Sequence, residues 1–344
     1  MPQASDLCTL VQQDLNNIAG TNSATGRRTQ VGFLDAILSE RNTAGFEVIA
    51  VDNGDGKKKK VKVRYMQPIN DTDTSTTKAN ACTSELEVLP LEDEIECTSH
   101  LRMKNLKFSK ASMRTFCESP SEYRGQVFAN ALNAYMIALN KKLIAQYVAK
   151  KGNFVDGTTT FKSIPLLNQG TGGVHSADFW GESLMAEEFI ALEGSDMPIA
   201  VGAGVLSHYA RLQEIGCCNQ YGQQVDEFGS SFSFYRDKYV DAIAGEADSI
   251  LAWNAGAFQL ITSQENKGEF RDVANPHHQE FTIVDPFTGL ELDVFLHYIE
   301  CDQEWVMQFS TCYDLIPIIR DDSYPAGHEL EDTNGGLMFK GTIS

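Results

Sequence analysis

SPSEYRGQVFANALNAYMIALNKKLIAQYVAKKG, residues 119–152, is the stretch on which the reading of this chain turns. Ser119 is an N-cap candidate, Pro120 occupies the first helical position and Glu122 completes an S-x-x-E capping box. Phe128, Leu132, Tyr135, Leu139, Leu143 and Tyr147 follow at spacings of three and four, a stripe with helical period. Lys150 and Lys151 suit the negative end of a helix, and Gly152 supplies the stop. The spacing predicts one helix over 120–151, about 48 Å long at 1.5 Å per residue. A helix of that length must cross a broad sheet or run along an elongated subunit.

Upstream the pattern changes. Residues 5–19 read as a short amphipathic helix carrying Leu7, Leu10, Val11, Leu15 and Ile18, and a second short helix is expected from Val31 to Glu40. Phe46 to Val51 and Val61 to Met66 are rich in β-branched and aromatic residues. Asp52-Asn53-Gly54-Asp55-Gly56 lies between them and tolerates the positive φ of a hairpin turn. A two-stranded hairpin is marginal alone, so this one must lie on another surface. Residues 68–80 read as a polar loop. Two short strands are expected within Glu85 to Cys97, with Pro90 and Glu92-Asp93-Glu94 at their turn.

Downstream, residues 153–175 read as a glycine-containing, loop-rich passage and a domain boundary. Helices are expected over Ser176–Leu192 and Gly204–Ile215. Strands are expected at Met197–Val201, Phe232–Tyr235, Ile250–Trp253 and Ala257–Ile261. An antiparallel part closes the chain: Phe281–Val284, a turn at 285–289, Leu290–Ile299 and Glu304–Tyr313, with a further short strand at Leu337–Phe339. The class is therefore α+β.

Charge is distributed unevenly. Residues 100–162 hold eleven Lys/Arg against three Asp/Glu, whereas 163–344 hold seven against 29, within a formal net charge of −19. Such acidity makes a poor general binder of nucleic acid, because each phosphate contact wants a cation. Opposite-sign regions on one chain suit contact between copies, since complementary charge registers association; a solvated acidic surface is the plainer alternative. The basic residues from Arg102 to Arg114 are expected to face neighbouring copies. No apolar run approaches the roughly 20 residues needed to span a bilayer, and Met1 to Asp6 do not open a secretory signal. A cytoplasmic site of synthesis is expected. The eight cysteines include no C-x-x-C pair, so reduced, mostly structural thiols are expected.

Catalytic and ligand motifs are sparse. Gly202-Ala203-Gly204 follows a strand and opens a helix, but Ser207 stands where a dinucleotide-binding turn needs its third glycine. His277, His278 and His297, with Asp272, Glu280 and Asp293, hold metal-ligating groups without an H-E-x-x-H pattern, and a surface loop accounts for them better. Cys217-Cys218 has only Arg211 nearby to activate a thiol. Lys57 to Lys60 reads as a solvated turn before it reads as a phosphate patch. No catalytic, cofactor or metal residue is assigned, and an enzyme is not expected.

The order of elements, an arm, an extended hairpin, a long helix, a mixed α/β lobe and returning antiparallel strands, resembles the HK97-type major capsid protein of tailed bacteriophages. Tyr239–Ile243, Ile250–Ala257 and Thr282–Leu290 also look like segments of that family. The resemblance implies an N-terminal arm over 1–45, an extended hairpin (E-loop) and following loop over 46–80, and a peripheral domain over 81–152 with its spine helix at 120–151. It further implies an axial-type α/β domain over 153–280 and C-terminal strands over 281–344 returning to the peripheral domain. The implied function is self-assembly into the icosahedral shell around a double-stranded DNA genome. Its partners would be other copies in hexamers and pentamers, with scaffolding, portal or decoration proteins and weak nonspecific contact to packaged DNA. It implies no cofactor and no membrane, assembly in the host cytoplasm and residence in the virion. Another phage structural part, in the tail or a minor head position, and a cytoplasmic α/β enzyme are the alternatives.

Overall fold

The computed structural model describes residues 31–40, 47–51, 60–66, 90–97, 99–109, 120–154, 159–170, 175–191, 198–215, 233–263, 278–286, 288–299, 304–317 and 334–344. The elements in chain order are α1 (Gly32–Ser39), β1 (Glu47–Val51), β2 (Lys60–Met66), β3 (Pro90–Glu96), β4 (Ser99–Arg102), β5 (Leu106–Ser109) and α2 (Pro120–Lys150). β6 (Lys162–Gln169), β7 (His175–Ala177), α3 (Phe179–Ala191), β8 (Ile199–Gly202), α4 (Gly204–Ile215), β9 (Ser233–Arg236) and α5 (Val240–Ala244) follow. The chain closes with β10 (Ser249–Trp253), β11 (Phe258–Ser263), β12 (His278–Val284), β13 (Glu291–Ile299), β14 (Glu304–Pro317) and β15 (Gly336–Ile343). The expected helix over 5–19 and the loop over 68–80 lie outside the described residues.

α2 runs 31 residues, within one residue of its expected end. Its six-residue stripe is buried throughout, from Phe128 to Tyr147, and Met136 and Ile144 widen it into a second row. Each such fully buried side chain contributes about 1.5–3 kcal/mol. The helix packs on β14, and its last turn is fastened there: Lys150 Nζ reaches Asp314 Oδ1 at 2.6 Å and the Leu315 carbonyl at 2.7 Å, while Leu315 N donates to Gln146 Oε1 at 2.9 Å.

Two larger sheets make the body. One has the order β7-β6-β15-β10-β8-β9, with β6–β15 and β8–β9 parallel and the other pairs antiparallel. It is covered on both faces. Leu251 and Trp253 of β10 join the core of α1, α2 and β11–β14, whereas Ile250 and Ala252 join a second core with α3 and α4. That double burial explains why Ser249–Trp253 has no polar alternation. In the other sheet β14 pairs with β13 over 304–310 and β11 over 312–317, and also with β5 and β4. Flanked on both edges, β14 is buried continuously from Phe309 to Ile316.

Two expectations need correction. Residues 162–169 are a strand inside the first sheet rather than loop, because Ile164, Leu166 and Leu167 are buried beneath α3 and α4. Acidic Glu92-Asp93-Glu94 lies within a single strand, β3, and not at a turn. Two strands lie apart from their chain neighbours. β11 leaves the preceding lobe to pair with β14, and β15 sits between β6 and β10 rather than with β12–β14.

Candidate assembly surfaces

β1, β2 and β3 form an antiparallel three-stranded sheet that, among the described residues, pairs with neither body sheet. β1 and β2 pair from Glu47↔Arg64 to Val51↔Lys60, as the hairpin reading expects. The third strand was not anticipated as a partner. Its register sets Lys60 opposite Glu96, Lys62 opposite Glu94 and Arg64 opposite Glu92. Three basic positions thus meet three acidic ones, and cross-strand pairs of opposite sign favour that register by about 0.2–1 kcal/mol each. The signal was present in sequence as Lys60, Lys62 and Arg64 on one strand and Glu92, Glu94 and Glu96, with Asp93 between them, on the other. Lys57 to Lys59 lie outside the described residues.

Where this sheet joins the body, Cys97 and Cys312 are paired as a disulfide across a sequence separation of 215. This corrects the expectation of reduced thiols for that pair. Linear spacing gives no hint of it, because the two cysteines meet only when β4 pairs with β14, with His100 opposite Cys312. The other six cysteines lie outside the described residues.

The basic stretch is partly satisfied within the chain. Lys107 pairs with Glu304 at 3.5 Å, Lys150 with Asp314 at 2.6 Å and Lys162 with Glu188 at 2.7 Å, each joining the basic region to the acidic one. Arg102 lies over the Phe295 ring at 5.4 Å and exposed Lys141 over Tyr239 at 4.4 Å. The opposite charges along the sequence therefore serve intramolecular packing as well as any contact between copies. Exposed apolar side chains stand on α3, where Trp180 is 68% and Ile190 64% exposed.

A buried polar junction, invisible to motif reading, holds α1 against α2. No side chain of its own segment caps α1. Instead Phe33 N donates to Asp237 Oδ2 at 3.1 Å and Leu34 N to Asn140 Oδ1 at 2.9 Å, while Asn140 Nδ2 donates to Asp237 Oδ2 at 2.7 Å. Asp237 thus brings negative charge to a helix N-terminus, where it is favourable. Tyr147 OH reaches the carbonyls of Ala252 at 2.7 Å and Leu337 at 3.1 Å, tying the far end of α2 to paired strands β10 and β15. Burial holds the Tyr147 phenol well above its ordinary pKa.

The glycine turn before α4 is held from within the chain. Gly204 has φ +55°, and Val205 N at the start of α4 donates to Asp248 Oδ1 at 3.1 Å. A carboxylate thus holds the position that a bound phosphate would need. His278 and His297 are register partners on β12 and β13. Asp293 is buried, accepts a hydrogen bond from Thr282 Oγ1 at 3.3 Å and lies four residues from His297. His277, Asp272 and Cys217-Cys218 lie outside the described residues. Among the described residues no three His, Cys, Asp or Glu gather as metal ligands, and no helix is long and apolar enough to cross a membrane.

No protein-family model matches the chain, and no curated protein matches it. Solved structures similar to it are of phages, capsids among them. The cyanophage A-1(L) capsid asymmetric unit is 11% identical with a TM-score of 0.47, over 83% of this chain and 88% of that chain. A structure from Mycobacterium phage Adephagia is 9% identical with a TM-score of 0.47, over 100% and 99%. The capsid of Ralstonia phage GP4 is 10% identical with a TM-score of 0.41, over 81% and 82%.

Proposed function

We propose that this chain is the major capsid protein of a tailed bacteriophage, a non-enzymatic subunit with an HK97-type fold that assembles into the icosahedral shell around double-stranded DNA. The observation that carries the reading is the three-stranded sheet β1–β2–β3. Among the described residues it is paired to neither body sheet, and a sheet of three strands gains independent stability only by covering an apolar face. A neighbouring copy supplies that cover. In this reading residues 46–80, together with β3, are the extended loop, and residues 1–45 are the arm region. α2 with the β4, β5 and β11–β14 sheet makes the peripheral domain. The β6–β10 and β15 sheet, with α3 and α4, makes the axial domain. Scaffolding, portal or decoration proteins and weak contact with packaged DNA complete its partners, with assembly in the host cytoplasm.

The test replaces residues 48–63 with a short Gly-Ser link. Mass photometry and negative-stain microscopy of the native protein, with virus-encoded assembly partners present, should show capsomers, tubes or shells. The shortened variant should stay unassembled while its melting temperature changes by no more than a few degrees. A native protein that remains monomeric under every condition overturns the shell reading. A large fall in the variant's melting temperature assigns the hairpin to the subunit's own core.

A further inference from the structure

Cys97 and Cys312 have Cα atoms 6.1 Å apart, within the span a disulfide bridges without backbone movement. Each is 6% exposed. Cys97 follows β3 directly, and β4 begins two residues later on the edge of β14. The bond therefore ties the root of the three-stranded sheet to the middle of the body sheet. Cys312 Sγ also lies 3.0 Å from the Cys97 carbonyl oxygen, an acceptor for a thiol hydrogen. A disulfide sulfur has no hydrogen to donate, so bond and hydrogen bond are alternatives. Once the bond is reduced, that carbonyl is placed to accept the Cys312 thiol hydrogen.

We infer that Cys97 and Cys312 form a redox-set fastener at the root of the β1–β2–β3 sheet, a dithiol in a reducing compartment and a disulfide after exposure to an oxidising one. Only the biological timing rests on the shell reading: a protein made in a cytoplasm starts reduced, and a released particle meets oxidant. The oxidant class is a small disulfide such as oxidised glutathione. One protein thiolate attacks a sulfur of that disulfide and expels the first small thiol. The second protein thiolate then attacks the mixed disulfide and expels the other. Two protein thiols and one small disulfide become one protein disulfide and two small thiols, two electrons passing to the oxidant. Burial of both sulfurs means the root must open for exchange, so the pair responds slowly in the closed state.

The experiment uses the whole protein, purified in dithiothreitol and divided, with one half treated with oxidised glutathione. Alkylation in denaturant and peptide mapping should recover a peptide linking Cys97 to Cys312 only in the oxidised half. Amide exchange over 90–102 should slow at least tenfold on oxidation, and Cys312→Ser should abolish that slowing. Cys97→Ser serves if the first variant does not fold. Recovery of both cysteines alkylated after oxidation overturns the inference, as does slowing that persists in the serine variant. Mass photometry of the same samples separates the two claims: a linked peptide without any assembly supports the fastener while removing the shell reading.

Discussion

Glu40 is an acid placed where water cannot solvate it. Only 5% exposed, it accepts hydrogen bonds from Trp253 Nε1 at 2.7 Å and Gly256 N at 3.2 Å. Burial raises its pKa above the ordinary 4.5, and the two hydrogen bonds offset that only in part. The folded protein therefore holds this proton more tightly than the unfolded chain does. Stability is greatest below the ordinary value and falls as pH rises through the raised one. Glu40→Gln removes the titration and keeps an acceptor for Trp253. Denaturant unfolding at stepped pH should show the stability of the native protein, relative to the variant, falling from pH 4.5 upward and levelling once the carboxyl is ionised. A relative stability that climbs over that interval would contradict the burial argument. Asp237 and Asn140 are likewise buried, held by hydrogen bonds that join α1, α2 and the segment after β9.

At the scale of elements, the register of β2 against β3 turns on charge. In register, Lys62 is the partner of Glu94 and Arg64 of Glu92. Reversing both acids, Glu92→Lys with Glu94→Lys, places like charges opposite each other and should cost the sheet about 1–2 kcal/mol across the two pairs. Adding Lys62→Glu and Arg64→Glu restores opposite signs in the same register. The expected outcome is loss of assembly in the first variant and its recovery in the fourfold one, with the body's thermal transition unchanged in both. Equal assembly by all three proteins, measured by light scattering at low salt, would show that these positions do not set the register. α2 behaves differently, because its capping residues and apolar stripe agree with each other and need no partner to specify a helix.

The whole molecule is interleaved. β15 comes last in the chain but lies inside the first sheet, between β6 and β10, with Leu337 and Phe339 1% exposed. Gly336 has no room for a side chain, since a Cβ there would meet the Phe258 ring and, at 3.0 Å, the Tyr147 hydroxyl. Deleting Gly336–Ser344 should therefore unfold the β6–β10 lobe rather than trim an edge. Far-ultraviolet dichroism and limited proteolysis should show loss of α3 and α4 protection in the truncated protein. Native-like protection of both helices would mean that β15 is dispensable to that core. The disulfide works at this same scale, closing a loop of 215 residues, for which chain entropy alone gives about 5 kcal/mol.

What residue order determined by itself was local. α2 was legible to within a residue at its end, α4 at both ends, and the hairpin strands and β8–β14 in position, because periodicity, caps and turn residues act over a few positions along the chain. The α+β class followed from the same signals. Beyond the hairpins, tertiary structure alone decided which strands became neighbours. β6 was read as loop because its polar ends mask a short apolar centre, and its place beside β15 depends on contacts more than 170 residues away. The exchange of β11 and β15 between sheets, the Asp237–Asn140 junction and the meeting of Cys97 with Cys312 had no local signature either. Pairing energies of that kind exist only after distant segments have been brought together, so no window of sequence carries them.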